Sequence, residues 1–416
     1  MREMKDSGVA WIGKIPKEWG IVKFKYLHNG LNTGEAIDKE YWESDAGLNA
    51  FYTAGLTPIR TGYSNFPTWK ETGGNDLLLA RNGTPYVYLP VSKAYYTDHI
   101  IRAAMSSLVN RRFIRYCLQQ SIASIAVDSV SIPTWSATLW NNQILTWPSV
   151  IEQERIAAFL DAECAEIDAV LEKTRASIEE YKKLKQAVIT QAVTKGIRGD
   201  RPMKDSGSVW FEEIPCNWVM KRIKYLFHIK KDIAGKEGYT VLSITQSGIK
   251  PKDLSKNEGQ LADNYSHYQL LNPGDFAMNH MDLLTGWVDI SKYSGVTSPD
   301  YRVFVLDDTE KNDSSYYLYL MQMCYFNRIF YGLGQGVSGM GRWRLQADKF
   351  LNFPVVVPPV DEQKEIASYL NEKCSGIEVM IAKKQQYLTE IENYKKSLIY
   401  EYVTGKKEVK TSVLAD

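Results

Sequence analysis

From Ser149 to Lys195 the chain contains no proline and no glycine, and Gly196 ends the run. Pro148 precedes it, and Ser149 with Glu152 three residues on spells an S-x-x-E capping box. Leu160, Cys164, Ile167, Leu171, Thr174, Ile178, Tyr181, Lys185, Val188 and Ala192 follow at alternating steps of three and four. That spacing predicts one continuous helix whose seam packs on another helix, with weak rungs at Thr174 and Lys185. At 1.5 Å per residue such a helix is roughly 65 Å long, a spacer rather than part of a globule. Charge is polarised along it: Glu152–Glu172 holds seven acids and one base, and Lys173–Arg198 seven bases and two acids.

The partner is encoded in the same chain. Shifted by 210 residues the seam returns as Leu370, Cys374, Ile377, Ile381, Lys384, Leu388, Ile391, Lys395, Leu398 and Tyr402. Glu152-Gln153 returns as Glu362-Gln363, and Val193-Thr194 as Val403-Thr404. A second repeat lies upstream: Met4-Lys5-Asp6-Ser7-Gly8, Trp11, Ile15-Pro16, Trp19 and Lys25-Tyr26-Leu27 return 199 residues later as Met203–Gly207, Trp210, Ile214-Pro215, Trp218 and Lys224-Tyr225-Leu226. An internal repeat of this length sets the architecture before any local reading does. The order is globular unit (1–148), long helix (149–199), globular unit (200–357), long helix (358–410). The Trp/Pro-rich segments are expected to lead irregularly into each unit.

Within the first unit, Asp76–Ala80 reads as a buried strand running into the turn Arg81-Asn82-Gly83-Thr84, and Met105–Ser121 as a helix. In the second, Pro273-Gly274-Asp275-Phe276 enters a strand followed by Asn279-His280-Met281-Asp282. Arg302–Val305 reads as a strand and Ser314–Phe330 as a helix. The fold class is therefore α+β with a coiled coil.

Composition removes several functional classes. No apolar run approaches the ~20 residues of a membrane span, and the opening Met1–Asp6 lacks the apolar core of a signal peptide. Cysteines 117, 164, 216, 324 and 374 are odd in number and scattered, which points to a reduced cytoplasmic protein without disulfides or a zinc site. Gly334-x-Gly336-x-x-Gly339 spells a dinucleotide fingerprint, but no βαβ pattern surrounds it. A mobile loop, with backbone free to follow a groove, is the expectation there. Pro359–Lys364 resembles a nuclease carboxylate–lysine cluster, yet it sits at a helix start where acids suit the macrodipole. With no Walker loop, methyltransferase motif or metal-ligand spacing, the chain reads as a binder.

The chemistry left is that of reading nucleic acid: Arg and Lys bond bidentately to guanine, Asn and Gln to adenine. Candidates are Arg81, Asn82, Thr84, Ser131 and Thr134 in the first unit. In the second they are Lys250, Asn279, His280, Asp282, Gln335, Ser338, Arg342 and Arg344. Lys23, Lys25, Lys221, Arg222, Lys224, Lys230 and Lys231 are candidates for phosphates. Two similar modules at fixed separation suit a bipartite site.

The lead-ins MKDSGVAWIGKIPKEW and MKDSGSVWFEEIPCNW, with the helix openings IEQERIAAFLDAECAEID and VDEQKEIASYLNEKCSGIE, resemble the specificity subunit of type I restriction–modification systems over the whole chain. The resemblance implies two target-recognition domains, each reading half of a bipartite sequence on double-stranded DNA. It also implies an antiparallel coiled coil that fixes their spacing and docks two methyltransferase subunits, with restriction subunits joining through the complex. S-adenosylmethionine, Mg²⁺ and ATP would then belong to the partners, with no cofactor on this chain. Charge supports the antiparallel pairing independently, because the acidic start of the first helix would face Lys383, Lys384, Lys395, Lys396, Lys406 and Lys407. The alternatives are the specificity component of a related system of another type and a self-sufficient DNA-modifying enzyme.

Overall fold

The computed structural model describes residues 2–42, 49–53, 55–125, 134–253, 264–336 and 343–410. Two compact units result, Met1–Arg175 with Gln386–Asp416, and Ala176–Gln385.

In the first unit a four-stranded antiparallel sheet runs in the order His28–Thr33, Ile100–Met105, Asp76–Ala80, Val87–Tyr88. After Asp76 the strand Asp76–Ala80 is an unbroken apolar run, Leu77–Ala80, because both its faces are covered. Successive side chains alternate across the sheet, so Leu77 and Leu79 join the main core while Leu78 joins a smaller cluster with Tyr52, Tyr88 and Tyr96. The expected helix over 105–121 begins later. Met105 still belongs to the sheet, and the helix is Arg111–Ala123, started by Asn110, whose Oδ1 accepts from the amides of Arg112 and Phe113.

The second unit repeats the plan, in the order Phe227–Lys230, Arg302–Leu306, Phe276–Met278, Val288–Ile290. Phe276 and Met278 face the main core, with Ala277 on the other face. The helix expected over 314–330 is broken into Ser314–Phe326 and Ile329–Gly332, because Arg328 sits at φ 58° between them. Both Trp/Pro-rich segments are ordered hairpins rather than irregular leads. Met4–Asp6 pairs with Lys14–Pro16, and Met203–Asp205 with Glu213–Pro215.

The two long helices are Val150–Lys195 and Val360–Val403. Their repeated Glu-Gln openings each do two jobs. Trp19 Nε1 donates to Glu152 and Trp218 Nε1 to Glu362, both at 2.9 Å. Gln153 accepts from the Asn110 amide at 3.2 Å and Gln363 from the Asp313 amide at 2.8 Å, tying each long helix to the cap of the shorter helix before it. The expected capping box is half formed. Ser149 Oγ accepts from the Glu152 amide, but the Glu152 carboxylate is taken by Trp19 and Arg2 instead of turning back.

In each unit the helices pair antiparallel. In the first, Phe159 meets Tyr402 with ring centroids 4.5 Å apart, Asp168 meets Lys395 and Arg175 meets Glu392, so partner numbers fall as helix numbers rise. In the second, Lys384 lies over Tyr181, Lys185 meets Glu378 and Arg198 meets Glu365. Leu160, Leu171, Ile178, Leu370 and Leu398 on the seam are buried. Ile167, Tyr181, Val188, Ile377, Ile381, Leu388 and Ile391 are half-buried, as expected where only two helices cover each other. The weak rungs are satisfied locally: Thr174 Oγ1 donates to Val170 O, and Lys185 is ion-paired.

Candidate nucleic-acid interface

In the first unit the sheet strand Asp76–Ala80 emerges at Arg81, and Gly83 turns the chain at φ 73°. Trp135 staples this turn: its amide donates to Arg81 O at 2.6 Å and its indole to Gly83 O at 2.7 Å. That brings Thr134 into an antiparallel bridge with Asn82. Arg81, Thr84 and Thr134 are exposed and Asn82 is half-buried, so four of the five expected residues gather at one edge; Ser131 lies outside the described residues. Sequence reasoning missed His99. Asn82 Nδ2 lies 2.8 Å from His99 Nδ1, so the amide donates and the imidazole accepts, leaving the ring proton on Nε2. Its only sequence signal is a place just before the strand Ile100–Met105.

The second unit closes the matching turn with the same bond. The Leu345 amide, 210 residues beyond that of Trp135, donates to His280 O at 2.9 Å. Arg344 thereby takes the place held by Thr134, and pairs across a short ladder with exposed Gln335, whose side chain accepts from Gln346 at 2.9 Å. Asn279 and Asp282 sit in this turn, but their oxygens build it. Asn279 Oδ1 accepts from the amides of Met281 and Asp282, and Asp282 Oδ1 from those of Leu284 and Thr285. Lys250 belongs to another hairpin, Leu242–Thr245 with Gly248–Pro251, and bonds Ser247 within it. Ser338 and Arg342 lie outside the described residues.

The glycine-rich segment differs from expectation. A Cβ on Gly334 would lie 2.4 Å from the Trp343 ring, one on Gly336 3.0 Å from the same ring, and one on Gly332 3.0 Å from Trp210. These three glycines make room for indoles rather than leaving a free backbone. Lys230 is also not a phosphate ligand, since it is spent on Asp275 at 2.7 Å.

A cavity of about 490 Å³ opens beside the second turn, with Lys231, His280, Arg302 and Arg344 among its lining residues. Burial, with Arg302 and Arg344 nearby, pushes His280 down to about 3, so the imidazole is neutral at physiological pH. Arg302, which the sequence marks only as the head of a strand, is 6% exposed. Among the described residues there is no cluster of three metal-ligating side chains and no helix long and apolar enough to cross a membrane.

Known proteins resemble this chain in sequence and fold. A family model for the type I restriction modification DNA specificity domain covers residues 215–390. The Type I restriction enzyme MjaVIII specificity subunit of Methanocaldococcus jannaschii is 24% identical over 426 residues, spanning 95% of each chain. A chain solved in work on complex assembly and conformational transition of the type I R-M system aligns at TM-score 0.64 and 12% identity, over 94% of this chain and 99% of that one, a likeness of fold. The HsdS subunit from Thermoanaerobacter tengcongensis aligns at TM-score 0.44 and 12% identity over 94% and 98% of the two chains, too low to add weight.

Proposed function

We propose that the chain, which resembles the specificity subunits of type I restriction–modification systems in sequence and fold, works as one, and that each unit reads one half of a bipartite site on double-stranded DNA. The observation that carries this reading is the shared turn. Both units close it with one backbone bond, Trp135 to Arg81 and Leu345 to His280, while presenting different side chains from it. A common frame with unlike contents is what two half-sites of different sequence require. Arg81, Asn82, Thr84, His99 and Thr134 would read one half; His280 and Gln335 the other, with Arg344 contacting DNA beside them.

In this proposal the paired long helices set the spacer between half-sites and dock two methyltransferase subunits, through which restriction subunits join. The chain itself performs no catalysis, works in the cytoplasm, and leaves S-adenosylmethionine, Mg²⁺ and ATP to its partners. The test is to assemble the chain with its methyltransferase subunits and map methylated adenines. Arg81→Ala should relax one half-site and Gln335→Ala the other, by about 1–3 kcal/mol each. Methyl transfer by the purified chain alone, or relaxation of the same half by both variants, would overturn it.

A further inference from the structure

The other well-buried cations of the second unit are matched by acids. Lys230 pairs with Asp275 at 2.7 Å, and Arg201 with Glu362. Arg302 differs. It heads the strand Arg302–Leu306 at 6% exposure and has no ion pair among the described residues. Its Nη2 donates to Leu345 O at 2.9 Å, its Nη1 lies 3.9 Å from the poor acceptor Met278 Sδ, and its plane lies 5.0 Å over the Phe350 ring. Burial lowers it to about 10, so it still carries its charge at neutral pH. Asp348 acts on it only at a distance, and a guanidinium removed from water without a directly paired acid is disfavoured.

Its surroundings add charge of the same sign. Arg302 lines the cavity of about 490 Å³ together with Arg344 and Lys231. His280 lines it too, and its Nδ1 is buried without a hydrogen-bond partner. No Asp or Glu lines that cavity. Gln269, the polar neighbour, spends its Nε2 on Ser298 O and Tyr301 O.

We propose that this cavity is an oxyanion site, with Arg302 as its fixed donor and Arg344 and Lys231 as its outer ones. The ligand it takes is a phosphodiester of the DNA backbone. This rests on the DNA-reading function above and adds to it an anchoring residue that holds the phosphate while neighbouring side chains read bases. A planar guanidinium fork suits two oxygens of one phosphate. A base edge would leave the buried charge unbalanced, which is why phosphate is favoured over base reading.

The test has two arms. On the intact chain, inorganic phosphate is titrated against chloride at matched ionic strength while thermal unfolding is followed. Phosphate should raise the unfolding temperature of the native chain, and Arg302→Met should remove that rise. Arg344→Met, at a half-buried position, should reduce it, which keeps the test usable if Arg302→Met does not fold. In the assembled complex, Arg302→Met or Arg344→Met should weaken specific and non-specific DNA alike and lower the slope of log K against log salt by about 1. A native chain indifferent to phosphate overturns the site. Loss of the phosphate response with an unchanged DNA salt slope overturns the DNA assignment and makes the ligand a free anion. Loss of preference at one half-site with an unchanged slope makes the arginines base readers instead. A complex with no sequence preference at all would sink the DNA-reading function, while the phosphate titration would still decide the site.

Discussion

Lys395 Nζ lies 2.6 and 2.7 Å from the two carboxylate oxygens of Asp168. Shifted by 210 residues the same pair is Lys185 with Glu378, so the charged rungs that interrupt both seams answer each other across the repeat. Such pairs, about half-exposed, contribute only about 0.3–1 kcal/mol each. Their value is in register, because a polar rung pairs in one alignment only. Asp168→Lys should therefore cost little stability yet loosen the helix pair, and adding Lys395→Asp should restore it. A double-mutant cycle with coupling below ~0.2 kcal/mol would remove the register role.

The Trp–Glu bonds predict an asymmetry between the units. Glu362 is 2% exposed and holds both Trp218 and Arg201, so Glu362→Ala strands a buried indole N–H and a guanidinium. The expected cost is about 3 kcal/mol or more. Glu152 is more open, with 20% of its side chain exposed, and its partner Arg2 keeps Glu408 and Glu18, so Glu152→Ala should cost clearly less, about 1–2 kcal/mol. Denaturant unfolding of the two variants checks the order.

Gly405 ends the second long helix at φ 70°, and a Cβ there would lie 2.5 Å from Pro16 and 3.0 Å from Trp19. Gly207 has the same φ of 70° with open space around it. Gly207→Ala should cost only the left-handed backbone, about 1–2 kcal/mol. Gly405→Ala should cost measurably more by displacing the Trp19 hairpin, and equal melting temperatures for the two variants would disprove this.

His280 carries a pH signature. Its folded value is pushed down to about 3 by burial and its two arginine neighbours, against an ordinary 6.5. The unfolded chain thus binds the extra proton first. The contribution is intact above pH 6.5 and is lost progressively as pH falls toward 3. Native protein should lose stability over that window faster than His280→Gln, by at most about 1.4 kcal/mol per pH unit for one proton. Parallel stability–pH curves would contradict it.

If the helices are the ruler, four residues inserted into Val150–Lys195 nearly preserve its face and lengthen it by about 6 Å, close to two base-pair steps. They also displace one seam against the other. Methylation should move to a longer spacer or vanish, and an unchanged spacer would show that the coil sets nothing.

Much of this was legible because it is local or repeated. The first long helix follows from the absence of helix breakers over 149–195, the second from the repeated seam in spite of Gly376, and their orientation from charge, seen as Asp168 with Lys395. The strand Asp76–Ala80 and the turn at Arg81 also follow from local pattern. What stayed hidden depends on partners distant in sequence. Trp19 and Glu152 are 133 residues apart, and Trp218 and Glu362 144, so the repeated Glu-Gln pairs were visible but their purpose was not. Gly334 looked free because nothing local says that the Trp343 ring fills its missing side chain. Arg302 looked like an ordinary strand residue because burial without a direct ion pair is a property of the packed unit.

The first unit is discontinuous in sequence, closed by residues from Gln386 onward, whereas the second is the single stretch Ala176–Gln385. During synthesis the order of completion is therefore inverted. The core around Trp19 and Trp140 must wait for Leu398 and Val403. Thr146 Oγ1 finds its acceptor, Val403 O, 257 residues later. At about 5–20 residues per second that wait is roughly 10–50 s, during which an apolar surface near the amino end stays uncovered while the later unit finishes first. A ribosome stalled once Gln385 has cleared its exit tunnel would hold a protease-resistant second unit behind a protease-sensitive first one.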